Sequence, residues 1–227
     1  MSDEFACLEN LASLKSGIEA VTGESYEDLT AGVQALKNGY GQSGGNDSTF
    51  KGFIERTEKT PTLPSDLTKI GGYAFYNYSA LAITSLPSGI TDIGAYAFFG
   101  CSNIALTALP NGVKTISGNA FQGCSKLALT SLPSELTSIG PGGFQNCTKL
   151  AITSLPSELT SISNAAFRGC TNLKTITFNS TPTLALGTAV FYDCSNLTDI
   201  YVPWAEGEVA NAPWGATNAT IHYNSEV

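Results

Sequence analysis

Apolar residues recur along this chain with a period of 23. Leu63, Leu86, Leu109, Leu132 and Leu155, each followed by proline, keep that step, as do Ile70, Ile93, Ile116, Ile139 and Ile162, and Phe75, Phe98, Phe121, Phe144 and Phe167. Self-similarity at a fixed period of this size is the mark of a repeat architecture. Written once, over 132–154, the unit reads L-P-S-x-L-T-x-I-G-x-x-A-F-x-x-C-S-x-L-A-I-T-S with small variations. A sixth, irregular copy follows, in which Phe178 takes the Leu position and one inserted residue moves the later landmarks to Phe191 and Cys194.

Within a unit, the alternation of Leu127 and Leu129 with Ala128 and Thr130 predicts a short strand with the leucines inward. The proline after each Leu closes that strand, because it has no N–H to donate. Leu136 and Ile139 form a second inward pair. The A-F and C-S pairs predict a helical or 3₁₀ turn that drops Phe and Cys into the core. One unit cannot bury its own apolar face, so neighbours must stack into a solenoid. About six coils are expected over 63–203.

The ends follow other patterns. Cys7, Leu11, Leu14, Ile18 and Val21 are spaced as the apolar stripe of an amphipathic helix. A second helix is predicted after Ser25, where Ser25 and Asp28 have capping-box spacing, through Leu29, Val33 and Leu36 to Gly39. Residues 1–40 are thus expected to be a helical hairpin, and 41–50, rich in Gly, Ser and Asn, a flexible connector. Residues 51–227 are the solenoid with its caps: a cap strand over 51–62, a break at Pro203, Trp204, Pro213 and Trp214, and a last strand at Thr220, Ile221, His222 and Tyr223. The fold class expected is therefore a β-rich solenoid of 23-residue repeats with a small α-helical N-terminal hairpin.

Composition narrows the function. Only 13% of residues are charged, and the net charge is −8. Such a balance repels phosphate backbones, so nucleic acid is not an expected partner. Residues 1–50 hold eight acidic side chains against Lys15 and Lys37, which marks them off from the rest. No basic segment leading into an apolar run opens the chain, and no run approaches the ~18 residues of a membrane span, so membrane insertion is not expected.

Candidate chemistry is sparse. His222 is the single histidine, and no nucleophile motif accompanies it, so a capping or surface histidine is expected and catalytic residues are not. Glu135 and Glu158 share a repeat column, which reads as a solvated face. Cys101, Cys124, Cys147, Cys170 and Cys194 share another, with Tyr78 in the first copy. Regular spacing makes that a packing column of buried thiols; zinc would need C-x-x-C pairs or histidines, and neither metal nor cofactor is expected. Binding has room only in the variable columns. One reads Tyr73, Tyr96, Asn119, Gly142, Ala165 and another Tyr76, Phe99, Gln122, Gln145, Arg168. The rings Tyr73, Tyr76, Tyr96 and Phe99 therefore cluster in the first two full repeats, where they either pack on the cap strand or recognise a protein or glycan surface. Thr84, Thr107, Thr130 and Thr153 form an outward ladder with no evident ligand.

The A-F-x-x-C-S-x-L segment followed by L-P and I-G resembles the bacterial BspA-like leucine-rich repeats, over roughly residues 55–203. That resemblance implies a curved solenoid, commonly of surface or adhesion proteins, and no enzymatic activity. The stretch T-G-E-S-Y-E-D-L-T-A-G-V-Q-A-L-K-N-G-Y-G, with L-A-I-T-S-L-P-S, is similar to proteins of gut Firmicutes and their phages, some of them tail-associated. A binding or structural module on a virion, the cell surface or outside the cell is the expectation, with a bacterial surface adhesin as the alternative to a virion component. A hairpin of about 40 residues is too small to be stable without association. Leu11, Leu14, Ile18, Val21, Leu29, Val33 and Leu36 are therefore expected to mediate assembly, homo-oligomerisation included. Light scattering on the full chain and on a chain beginning at Ser48 should show association only in the former; a monomeric full chain would refute self-association.

Overall fold

A computed structural model describes residues 59–63, 65–180, 184–210 and 212–225. The helical hairpin of 1–40 and the connector of 41–50 lie outside the described residues, as does most of the cap segment. The described residues wind into about seven coils of roughly 23 residues, each coil in register with the next and every strand pairing parallel. No α-helix occurs among them.

Two parallel sheets run along the stack. The first joins β1 (Lys69–Ile70), β2 (Asp92–Ile93), β3 (Thr115–Ile116), β4 (Ser138–Ile139), β6 (Ser161–Ile162) and β8 (Ala185–Leu186) in that order. The second joins β5 (Ser154–Leu155), β7 (Thr175–Phe178), β9 (Asp199–Tyr201) and β10 (Thr220–His222). The regular ladder thus falls on the Ile column, which the alternation argument did not single out. Leu127 and Leu129 are inward and buried as expected, but their segment is not a strand. One backbone bond, from Ala128 N–H to the Leu106 carbonyl (3.1 Å), ties it to the preceding coil. Pro110 and Pro133 withhold the N–H that would lengthen that ladder. From the fourth coil onward the same segment does form strands: β7 pairs with β5 over Thr177–Phe178 and with β9 over Thr175–Thr177.

The A-F to C-S segment is the larger departure, since it is neither α nor 3₁₀. Its N–H groups alternate in destination. In the third coil Asn119, Phe121 and Gly123 donate to carbonyls of the next coil at Pro141, Gly143 and Gln145 (2.8–2.9 Å), while Ala120, Gln122 and Cys124 close turns on residues three earlier (3.1–3.2 Å). A helix cannot send every second N–H sideways. The chain does so by placing two residues per coil in the left-handed region: Tyr73, Tyr96, Asn119, Gly142, Ala165 and Ala189 in one column, and Asn77, Gly100, Gly123, Asn146, Gly169 and Asp193 in the other, all with φ between 52° and 76°. The second column holds only Gly, Asn and Asp, the residues that tolerate this conformation.

Inside, six phenylalanines from Phe75 to Phe191 form a continuous stack, with neighbouring centroids 5.1–5.7 Å apart and rings within 9° of parallel. The irregular sixth copy keeps the register as expected: Phe178 pairs with Leu155, and Phe191 stacks on Phe167 at 5.7 Å. At the C-terminal end Gly215 stands where phenylalanine would, and the Trp214 carbonyl accepts the Phe191 N–H at 2.9 Å. A Cβ on Gly215 would meet the Ala189 Cα at 2.9 Å, so only glycine fits there. The buried rings of Trp204 and Trp214 then pack on Phe178 at 5.4 and 5.6 Å. The last strand lies where it was expected, as β10. At the other end, the Lys59 carbonyl takes the Ala82 N–H at 2.6 Å, but residues 59–62 are not a strand.

Phe121 is fully buried with a ring on each face. Phe121→Ala should therefore cost about 3–5 kcal/mol in denaturant unfolding. A loss below 1 kcal/mol would show the stack to be dispensable.

Candidate functional site

The outermost turns of the six coils line up as a face along the solenoid. Over 71–79, 94–102, 117–125, 140–148, 163–171 and 187–195 the only charged side chains are Arg168 and Asp193, and they pair with each other at 3.6 Å. The rest of the face is aromatic, amide, hydroxyl and backbone. Nearly all of the chain's charge therefore lies elsewhere.

The four rings singled out in the sequence do come together here. Tyr73 stacks on Tyr96 at 4.9 Å and Tyr76 on Phe99 at 5.0 Å, and the two stacks lean together, with Tyr73–Tyr76 and Tyr96–Phe99 both 5.6 Å apart. Tyr73 is 41% exposed and the other three are half-buried. Left-handed backbone at a tyrosine costs on the order of 1–2 kcal/mol. Here it is held by the next coil, through bonds from Tyr73 N–H to the Ala95 carbonyl (2.9 Å) and from Tyr96 N–H to the Gly118 carbonyl (3.0 Å).

Tyr192 belongs to the same face and was missed in the sequence. It continues the column of Tyr76, Phe99, Gln122, Gln145 and Arg168, but the inserted residue in the sixth copy moves it one place off the 23-residue step. It is 43% exposed, with the Arg168 guanidinium 5.0 Å from its ring centroid. Aligning the copies on Phe191 and Cys194 would have revealed it.

The remaining candidates resolve into structural parts. His222 Nε2 lies 2.8 Å from Asp199 Oδ1, and its ring stacks on Tyr201 at 4.4 Å. The hydrogen bond to His222, and then that from the Thr198 hydroxyl, hold the Asp199 carboxyl below its ordinary range. This pair clamps β10 to β9. Glu135 faces Lys114 at 4.0 Å as a solvated ion pair, and Glu158 is exposed. Thr84, Thr107, Thr130 and Thr153 are exposed. Shallow grooves of about 410 and 240 Å³ follow the Leu-Pro corners, the larger beside Leu63, Ile83 and Leu86, the smaller beside Leu132, Ser154 and Asn179. Among the described residues, neither is lined by a titratable side chain. Leu11, Leu14, Ile18, Val21, Leu29, Val33 and Leu36 lie outside the described residues.

With this geometry in place, comparison with known proteins settles the family. The profile of the BspA type leucine rich repeat region matches residues 46–153 and 116–209, with six copies. The chain belongs to the BspA-type leucine-rich repeat family. Among curated proteins no relative matches it. Solved structures similar to it include a leucine-rich repeat protein of Bacteroides ovatus ATCC 8483, at 23% identity over 62% of this chain and 54% of that one, with a TM-score of 0.39. The leucine-rich repeat protein of T. pallidum is 29% identical over 61% of this chain and 74% of that one, with a TM-score of 0.44. A leucine rich cell surface protein of Faecalibacterium prausnitzii A2-165 is 24% identical over 65% of this chain and 54% of that one, at 0.35. The chain thus spans about half the length of the B. ovatus protein. Residues 22–41, for which a likeness to tail-associated proteins was expected, lie outside the matched residues. No helix among the described residues is long and apolar enough to cross a membrane.

In these BspA-type coils the cysteine column is a packing and hydrogen-bonding column. The five thiols are buried and carry no disulfide among the described residues. Each Sγ–H donates to the carbonyl of the phenylalanine one coil earlier, from Cys101 to Phe75 (2.9 Å) through Cys194 to Phe167 (3.1 Å). Cysteine suits the position because it is small, apolar and still a weak donor. Burial pushes the thiols of Cys124, Cys147 and Cys170 well above the ordinary value, and that of Cys194 up to about 12. Those four should resist a thiol reagent in the native protein. Because their folded values are raised, unfolded thiols lose protons first, so stability should hold below pH ~8.5 and fall as pH rises beyond it. Fast native labelling of these four, or stability flat through pH 11, would contradict their placement.

Proposed function

We propose that this protein is a non-enzymatic binding scaffold displayed at a bacterial surface, recognising a protein or glycan surface through its turn face. The observation that carries this reading is the gathering of Tyr73, Tyr76, Tyr96 and Phe99 into one outward cluster on a face almost free of charge. Large rings supply contact area at low entropic cost, which is why aromatic anchors dominate recognition surfaces. Partly exposed rings grouped on an otherwise polar face are a mark of interaction. None of the four belongs to the buried core cluster, whose Phe stack occupies a separate column. Display on a surface is supported by membership of a family whose members are commonly surface or adhesion proteins. Residues 1–40 serve in this reading as the attachment or assembly element, and the solenoid as what they present.

The double variant Tyr76→Ala with Phe99→Ala tests it. Adherence of the purified protein to bacterial and epithelial cells should fall to background, while Tm moves by no more than about 4 °C. A variant that still adheres, or one whose Tm collapses, would return these rings to simple packing.

A further inference from the structure

The turn face does not end with the four rings. Along the left-handed column the side chains shrink abruptly, from Tyr73 and Tyr96 to Asn119, Gly142, Ala165 and Ala189. One face of the Tyr96 ring is covered by Tyr73 at 4.9 Å; on the other side, no ring follows it in its column. Beyond Tyr96 the face therefore drops to a shelf.

The shelf has a polar middle and an aromatic far end. A Cβ on Gly142 would lie 3.1 Å from Gln145 Oε1 and would collide with Asn119 Oδ1, so two amide side chains from neighbouring coils converge over that glycine. Gln122 stands in the coil between Phe99 and Gln145 in the adjacent column. Two coils further on, Tyr192 stands 43% exposed with Arg168 over its ring. Arg168 is itself paired with Asp193 at 3.6 Å, so the shelf carries no unbalanced charge. At roughly 5 Å per coil, the step at Tyr96 and the ring of Tyr192 are about 20 Å apart.

We infer that this shelf binds an extended, uncharged glycan lying along the solenoid axis, with one end against the Tyr96 and Phe99 rings and the other on Tyr192. The inference rests on the binding reading above and names its ligand class. A sugar chain presents C–H faces to aromatic rings and hydroxyls to amides, and both partners occur here, rings at the two ends and amides between them. The missing charge selects for neutrality: anionic polymers would be drawn to lysine and arginine, and cationic ones to carboxylates, neither of which the shelf offers unpaired. A protein partner would need no such length or uniformity, and is the alternative outcome of the test.

The probes are cellohexaose, laminarihexaose, mannohexaose and chitohexaose, with heparin and hyaluronan oligomers as charged controls, titrated calorimetrically into the full chain. Tyr192→Gln places at the far end the residue that coils three and four already carry there, so the variant should fold normally. At least one neutral hexasaccharide should bind, with an affinity that changes less than about twofold between low and high salt. Tyr192→Gln should weaken it about tenfold and leave the matching disaccharide unaffected. Binding of the charged oligomers alone, or a hexasaccharide indifferent to Tyr192→Gln, would overturn the inference. If no neutral glycan binds while Tyr76→Ala with Phe99→Ala still abolishes cell adherence, the glycan assignment falls and the binding scaffold stands, with protein as the partner. If the double variant keeps full adherence, the scaffold reading itself falls.

Discussion

A 23-residue coil cannot satisfy its own backbone, and the rest of the structure depends on that deficit. Every second N–H of the outer turn, and the N–H groups of the Ile strand, find their acceptors only in the adjacent coil. Buried N–H and C=O groups must be paired. Each coil is therefore incomplete until its neighbours lie in register at the parallel-strand spacing. The phenylalanine stack follows from the same register, since identical residues placed one above another at that spacing bring their rings face to face. The thiol column follows as well, each Sγ reaching back to the preceding phenylalanine carbonyl. Polar pairing and apolar packing reinforce one another in each coil, and both lapse together at the ends.

That dependence explains how the ends are built. The last phenylalanine, Phe191, still needs an acceptor for its N–H and cover for its ring. The Trp214 carbonyl supplies the first, and Trp214 and Trp204 close over Phe178 beside it. The single histidine, His222, paired with Asp199 and stacked on Tyr201, holds β10 in place against β9.

The left-handed residues connect the backbone to the turn face. Alternating handedness lets half of the turn's N–H groups point along the axis, and it also carries a side chain outward at the first of the two left-handed positions. Where that position is Tyr73 or Tyr96, the strain of the conformation is offset by the hydrogen bonds of the next coil. The rings are consequently held at fixed spacing by the same register that builds the core. In the proposed recognition role, rings held rigidly in this way are preorganised, which lowers the cost of binding.

Periodicity alone determined the repeat length, the inward columns of Leu, Ile, Phe and Cys, the shift in the sixth copy and the variable columns where Tyr73, Tyr76, Tyr96 and Phe99 fall. These are properties of spacing, and spacing is fully present in a linear chain. Tertiary structure decided what depends on the neighbouring coil. The turn that local pattern suggested as helical became an alternation of left- and right-handed residues, because every second N–H bonds to the next coil at a carbonyl 22 residues away. The regular ladder settled on the Ile column, and the Leu column pairs as strands only from β5 onward. Tyr192 joined the turn face only once the inserted residue was absorbed and the stacking of Phe191 on Phe167 restored the register. Side-chain periodicity is a local property of the chain, whereas the choice of hydrogen-bond partner belongs to the coil stacked against it.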